Sequence, residues 1–391
     1  MDFSPSFHPQ IQVIVDDLHK TPSFSIPIDV LERFQSFNEL IVLGIGGPAL
    51  CGRVLQSIAH AQGRPTQTVT FRDNLSPLHT ADYTHNRLKD TGIIILSKSG
   101  ETLETLFEAH EFLKLYQGHR LSLHEHFLIG TEHQKKPNHL YRIAKDYAIP
   151  TLALSPHIDG RFSLFAATGQ ILGSLMNIDI SAFRRGAKDY LDSMTSHTMT
   201  SLGTLFHEQG PLNNHVLWVY DEALIPLVEW WSQLIGESLG KKGEGLTPMI
   251  AVGPKDQHSQ LQLYLGGPRN KYFTFLSTSP SFEHLSTHLS HKFPHHSQHI
   301  APELDLETLF QIGVKDIIAL QMHMVMDTLA DENIPHRLFH VKIDDPFDMG
   351  KLCMRIMTEV WMAGMERAID PFGQPDIEKV KQKVLDLLQR V

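Results

Sequence analysis

Ile93-Ile94-Ile95-Leu96-Ser97-Lys98-Ser99-Gly100-Glu101-Thr102-Leu103-Glu104-Thr105 is the stretch whose reading decides the fold. Four unbroken aliphatic residues suit a strand buried on both faces, as in a parallel sheet. Leu103, Leu106, Phe107, Leu113 and Leu115 then recur at roughly helical spacing. The polar cluster between them therefore sits where a strand hands over to a helix N-terminus. Free backbone N–H groups and the positive end of the helix dipole meet there. Hydroxyls at Ser97, Ser99, Thr102 and Thr105 add neutral donors, and Lys98 adds charge, so the segment can receive a phosphate monoester. The simpler structural reading is an ordinary N-cap at Ser99, with Glu101 and Glu104 favouring the first turn.

Working outward, strand-like runs at 40–45, 68–71, 93–96, 127–129 and 151–154 alternate with helical patterns near 48–60, 102–117 and 138–148. Such alternation predicts a parallel sheet with helices on both faces. A long helical stretch is expected from about 162 to 207. A second series follows, with strands at 216–220, 249–252, 272–276 and 338–343 and helices near 225–239, 305–332 and 348–368. The halves are alike in pattern but not in sequence. The expected division is 1–175, carrying the glycine turn, the 97–105 loop and Arg161, and 176–391, ending in an amphipathic helix. Ile377, Val380, Val384, Leu387 and Leu388 form the apolar face of that helix, and Lys381 lies on the same face. Alone, such a lysine would be read as snorkelling.

The chain of 391 residues is long enough for two ordinary cores, and 41% hydrophobic with 20% charged residues is a globular composition. A formal charge of −10 argues against general nucleic-acid or anionic-membrane binding. The two cysteines, Cys51 and Cys353, form no framework, which points to a reducing, cytoplasmic compartment and to buried inert thiols. No leader or membrane span is expected. His284, His288, His291, His295, His296 and His299 could pair at helical spacing as metal ligands, but Pro294 interrupts them and a surface loop is the simpler reading.

Three further segments carry chemistry. Gly44-Ile45-Gly46-Gly47-Pro48-Ala49 fits the loose dinucleotide pattern at Gly44, Gly46 and Ala49, although the acidic residue expected about twenty positions on is not clear. Asp159-Gly160-Arg161-Phe162-Ser163 presents either a surface arginine or a fixed cation facing an anion or oxyanion. Glu237 falls at the end of a helix, where a carboxylate is electrostatically disfavoured, and is followed by Lys241, Lys255 and His258. Weighed singly, Glu237 is a surface carboxylate and His258 a surface or core histidine.

Together these segments resemble the glucose-6-phosphate isomerases, aldose–ketose isomerases built from two sugar-isomerase (SIS) domains. The family's G-I-G-G-S turn is seen at Gly44 to Pro48, and its S-K-[ST]-x-[ST]-T-x-E-T loop at Ser97 to Thr105. Its G-G-R-[FY]-S turn matches Asp159 to Ser163, and the bacterial E-S-E-G-K matches Glu237 to Lys241. D-L-H-S matches Asp256 to Ser259, and the terminal P-F-D-Q-x-G-V-E-x-x-K matches Pro371 to Lys381. The resemblance implies two three-layer α/β/α domains with mainly parallel sheets and a C-terminal helix. It implies that Ser97, Lys98, Ser99, Thr102 and Thr105 hold the sugar phosphate, with Gly46, Gly47, Gly160 and Gln374 near the substrate. Glu237 would move a proton between C1 and C2 through a cis-enediol, and Arg161 would stabilise the enediolate. His258 and Lys381 would open the ring, with His258 donated across a homodimer interface and Lys381 held in a pocket wall. No cofactor or metal is implied.

Four positions depart from the family pattern: Pro48 for serine, Glu101 for threonine or serine, Asp159 for glycine, and Cys51 where glycine is common. The 99–102 core also resembles the isomerase half of glucosamine-6-phosphate synthase, but 371–381 fits it poorly. A glucose/mannose bifunctional isomerase and a non-catalytic sugar-phosphate sensor are the other readings.

Overall fold

The computed structural model describes residues 9–19, 26–64, 67–78, 80–132, 137–194, 212–278 and 312–388. Nine parallel strands form two sheets. The first contains β1 (Glu39–Leu43), β2 (Thr68–Arg72), β3 (Thr91–Leu96), β4 (Phe127–Thr131) and β5 (Thr151–Ala153), in the order β2-β1-β3-β4-β5. The second contains β6 (Asn214–Val219), β7 (Thr247–Val252), β8 (Lys271–Ser277) and β9 (His336–His340), in the order β7-β6-β8-β9. Strand β3 is central, and Ile41 of β1 registers with Thr70 on one side and Ile93 on the other. Every residue of β3 is buried, which is why its 93–96 run is continuously aliphatic instead of alternating.

The expected strands and the helices Gly47–Ala61, Leu103–Gly118, His139–Asp146, Ile225–Leu239 and Pro346–Glu366 are observed within a few residues of the sequence reading. The single helical stretch expected over 162–207 is not. Its described part is a 3-10 turn, Gly160–Phe165, and two helices, Ala167–Leu175 and Ile180–Ser193. The chain breaks at Asn177, whose φ is 57°, and restarts where the Asp179 carboxylate accepts from the Ala182 N–H at 2.8 Å. An apolar repeat cannot reveal such a break, because both helices keep their buried faces on the same core.

One apolar core runs from Ile11 in the first helix, through both sheets, to Phe372. Two smaller clusters fill the outer faces, one between the first sheet and helix Leu103–Gly118, the other between the second sheet and helix Val314–Asp331. Each sheet is thus sandwiched between layers, and the halves are welded through a shared interior. Cys51 and Cys353 are both fully buried, and burial pushes the Cys51 thiol up to about 12, as expected of inert thiols. Among the described residues no helix is long and apolar enough to cross a membrane. The histidine-rich segment, 284–299, lies outside the described residues.

Candidate active site

In an open parallel sheet, ligands bind beyond the carboxyl ends of the strands, where the order of connection reverses. In the first sheet that point lies between β1 and β3. The loops leaving these two strands are the glycine turn, Gly44–Pro48, and the serine/threonine loop, Ser97–Thr102. Topology alone therefore brings together two of the segments singled out in the sequence.

The serine/threonine loop is built for an anion. Helix Leu103–Gly118 starts later than a Ser99 cap would place it, with Thr102 at the N-cap position making no capping bond. The N–H groups of the first turn thus remain available. Ser97 Oγ lies 3.1 Å from Thr102 Oγ1 and 3.5 Å from Ser99 Oγ, and accepts from the Gly100 N–H at 3.2 Å. Thr105 is buried and its hydroxyl has no partner among the described residues, an orphan a ligand oxygen can satisfy. Gly100 has φ +63°, and a Cβ there would stand 2.1 Å from Asn138 Oδ1, so glycine is required twice over. The Glu101 carboxylate turns away from the loop interior. It accepts from the His139 backbone N–H at 3.0 Å and pairs with the His139 ring at the start of the next helix. Lys98 is also diverted: its ammonium lies 3.3 Å from Asp159.

The glycine turn meets the arginine turn directly. A Cβ on Gly47 would fall 2.0 Å from the Gly160 carbonyl carbon, so the two backbones touch only because Gly47 has no side chain. Pro48 occupies the first turn of helix Gly47–Ala61, where its missing N–H would have lacked a helical partner in any case.

Arg161 is 1% exposed. It donates to Ser238 Oγ (3.0 Å), Glu237 Oε2 (3.0 Å), the Pro371 carbonyl (2.7 Å) and the Gly373 carbonyl (3.3 Å). The guanidinium is thus spent on protein partners instead of facing solvent, and its charge reaches a ligand through Glu237 and the low-dielectric surroundings. Glu237 itself is half-buried, and its other oxygen accepts from the Gln233 amide at 2.8 Å. A carboxylate held at both oxygens has a fixed direction.

Sequence reading missed several supports. Gln233 precedes Glu237 by one helical turn, a spacing that could have flagged it. Gln233 also lies against Gly46, where a Cβ would stand 3.0 Å from its amide nitrogen. The Trp230 indole donates to the Arg161 carbonyl at 2.9 Å. The Lys241 ammonium donates to the carbonyls of Asp370 (2.6 Å) and Phe372 (2.7 Å), and burial, then the nearby Arg161, push its pKa below the ordinary lysine range. The contacts of Trp230 and Lys241 had no signature in the sequence because their partners are backbone carbonyls far along the chain. Gly46, Gly47, Lys98, Gly160, Arg161 and Glu237 are therefore brought into one contiguous site, with Ser97, Ser99, Thr102 and Thr105 on the adjoining loop. Gln374 is half-buried and follows Gly373 directly.

Two residues do not join it within one chain. His258 is exposed beyond β7, the edge strand, and no hydrogen bond or ion pair among the described residues links it to Arg161 or Glu237. Lys381 is not in a pocket wall. It is exposed, pairs with Glu378 at 2.7 Å, and belongs to helix Pro375–Leu388, none of whose described side chains is buried. The apolar stripe that suggested a pocket is left facing outward, with Val380 and Leu387 62% and 63% exposed.

A serine/threonine loop at one switch point lies beside an arginine–glutamate pair that joins the two parallel sheets, an arrangement able to hold a phosphorylated ligand against a fixed carboxylate. No family model matches the chain. A probable glucose-6-phosphate isomerase from Methanococcus maripaludis is 28% identical over 365 residues, covering 90% of this chain and 78% of that one. Among solved structures, a hypothetical protein from Thermus thermophilus is 22% identical with a TM-score of 0.79, covering 99% of this chain and 92% of that one. A glucose-6-phosphate isomerase from Chlamydia trachomatis is 18% identical with a TM-score of 0.72, covering 100% of this chain and 76% of that one. Along nine-tenths of its length the chain is thus similar to glucose-6-phosphate isomerases.

Proposed function

We propose that this chain interconverts glucose 6-phosphate and fructose 6-phosphate by proton transfer through a cis-enediol. The observation that carries the reading is the Glu237 carboxylate, fixed between the Arg161 guanidinium and the Gln233 amide. Aldose–ketose isomerisation needs one base on a single face of the enediol, able to take a proton from one carbon and return it to the next. Glu237 has the required fixed direction. Arg161 offsets the negative charge that builds on the enediolate oxygens. The sugar phosphate docks on Ser97, Ser99, Thr102 and Thr105, and this remote binding energy orients C1 and C2 against Glu237.

Ring opening falls to His258 and Lys381. The exposure of both in one chain supports a homodimer in which His258 reaches the neighbouring site. Residues 1–175 and 176–391 serve as the two SIS domains, and the Asn177 break beside that boundary supports the division. The scarcity of cysteine favours a cytoplasmic setting.

The test follows fructose 6-phosphate to glucose 6-phosphate in a dehydrogenase-coupled assay, with mannose 6-phosphate run alongside. Turnover of fructose 6-phosphate supports the isomerase. Binding of fructose 6-phosphate by folded, oligomeric protein without conversion would favour a sugar-phosphate sensor instead.

A further inference from the structure

Asp159 stands where the family turn has glycine, and its side chain is 19% exposed. One carboxylate oxygen lies 3.3 Å from the Lys98 ammonium. The other accepts the Gly373 N–H at 3.0 Å and lies 3.5 Å from an Arg161 nitrogen. Burial acts to raise this carboxyl, but the Gly373 N–H, Lys98 and Arg161 outweigh it and hold its pKa below the ordinary range. Glycine could make none of these contacts. The same segment is gripped elsewhere by Arg161 at the Pro371 carbonyl and by Lys241 at the Asp370 and Phe372 carbonyls. Phe372 packs on Phe162 with ring centroids 5.2 Å apart. Gly373 is the last of these residues before Gln374, and Asp159 alone holds its N–H.

We propose that Asp159 is a positioning residue that couples the 97–102 phosphate loop to the 371–374 segment. Resting on the isomerase reading, this makes one carboxylate serve two ends of the substrate. With no phosphate bound, Lys98 is neutralised by Asp159. A phosphate dianion at Ser97–Thr102 competes for that ammonium, while the second carboxylate oxygen keeps Gly373, and with it Gln374, in register with Arg161 and Glu237. The arrangement trades phosphate affinity for placement of the segment beside the reacting carbons.

The experiment compares wild type, D159A and D159N in three readouts: steady-state kinetics, affinity for inorganic phosphate, and hydrogen exchange at Gly373. D159A frees Lys98 and drops the Gly373 anchor. It is expected to bind phosphate several-fold more tightly, lower KM, lower kcat at least tenfold, and speed exchange at Gly373 at least tenfold. D159N keeps an acceptor for Gly373 without the charge. It should restore most of the lost kcat and slow exchange while phosphate binding stays tight. Equal kcat losses in both variants, or unchanged exchange at Gly373 in D159A, would overturn the coupling. Phosphate binding and exchange need no turnover, so a wild-type chain inactive on fructose 6-phosphate overturns the isomerase reading while the coupling is judged separately.

Discussion

Arg161 and Glu237 show how far a buried cation can be committed before it meets a ligand. Four hydrogen bonds, to a hydroxyl, a carboxylate and two carbonyls, leave the guanidinium little freedom. Lysine cannot reproduce that fork, so R161K is expected to lose activity nearly as fully as R161A. R161A strands Glu237 and the buried Pro371 carbonyl, and should destabilise the chain by about 3 kcal/mol in urea unfolding. E237Q keeps the size of the side chain and removes the base. Its kcat should fall roughly a hundred- to ten-thousand-fold, with fructose 6-phosphate affinity by calorimetry nearly unchanged. Near-normal turnover would remove Glu237 from its role. Both residues were singled out in the sequence, but weighed singly each had a surface reading, and only the resemblance of the combined motifs pointed to one site. Ser238 and Lys241 were not, since an isolated serine or lysine says nothing until the fold supplies its partner.

At the scale of elements, the 97–105 segment was read correctly as a strand feeding a helix, because burial on both faces of β3 forces a continuous apolar run. What sequence could not give was the direction of each side chain in the loop. Glu101 turns outward to His139, and Lys98 leans to Asp159. Thr105 offers a sharp test. Its hydroxyl is buried without a partner among the described residues, so T105V should leave the free protein as stable as wild type or about 1 kcal/mol more stable. The same change should weaken sugar-phosphate binding by about 1 kcal/mol, roughly fivefold, on titration. Stability loss without loss of affinity would mean the hydroxyl faces no ligand. The C-terminal helix was legible as an element but not in its placement: its apolar stripe suggested a packed face, and none of its described side chains is buried among the described residues.

For the whole molecule, buried polar groups set the response to acid. His215 lies fully buried between Trp231 and Tyr272, with Nε2 2.8 Å from Thr274 Oγ1. Burial, reinforced by Arg337, pushes its pKa well below the ordinary histidine value. The folded chain therefore holds His215 neutral while the unfolded chain protonates it below pH ~6.5. The unfolded state binds more protons there, so this contribution is complete above that pH and is lost as pH falls, at up to about 1.4 kcal/mol per unit. Urea midpoints at pH 7.5, 6.5 and 5.5 should fall less steeply for H215Q than for wild type. Parallel profiles would show that His215 does not carry the dependence.

Both halves share one interior, and Arg161 comes from the first and Glu237 from the second, so the proposed chemistry requires the whole chain. That proposed chemistry is proton transfer by a fixed carboxylate through an enediol. The most direct measurement is isomerisation of fructose 6-phosphate in deuterium oxide, followed by NMR of the glucose 6-phosphate formed. Deuterium at C2 in the wild-type product, and no product from E237Q, is the expected result. Product formed at a normal rate with no solvent deuterium at C2, even at early conversion, and with E237Q equally active, would contradict it.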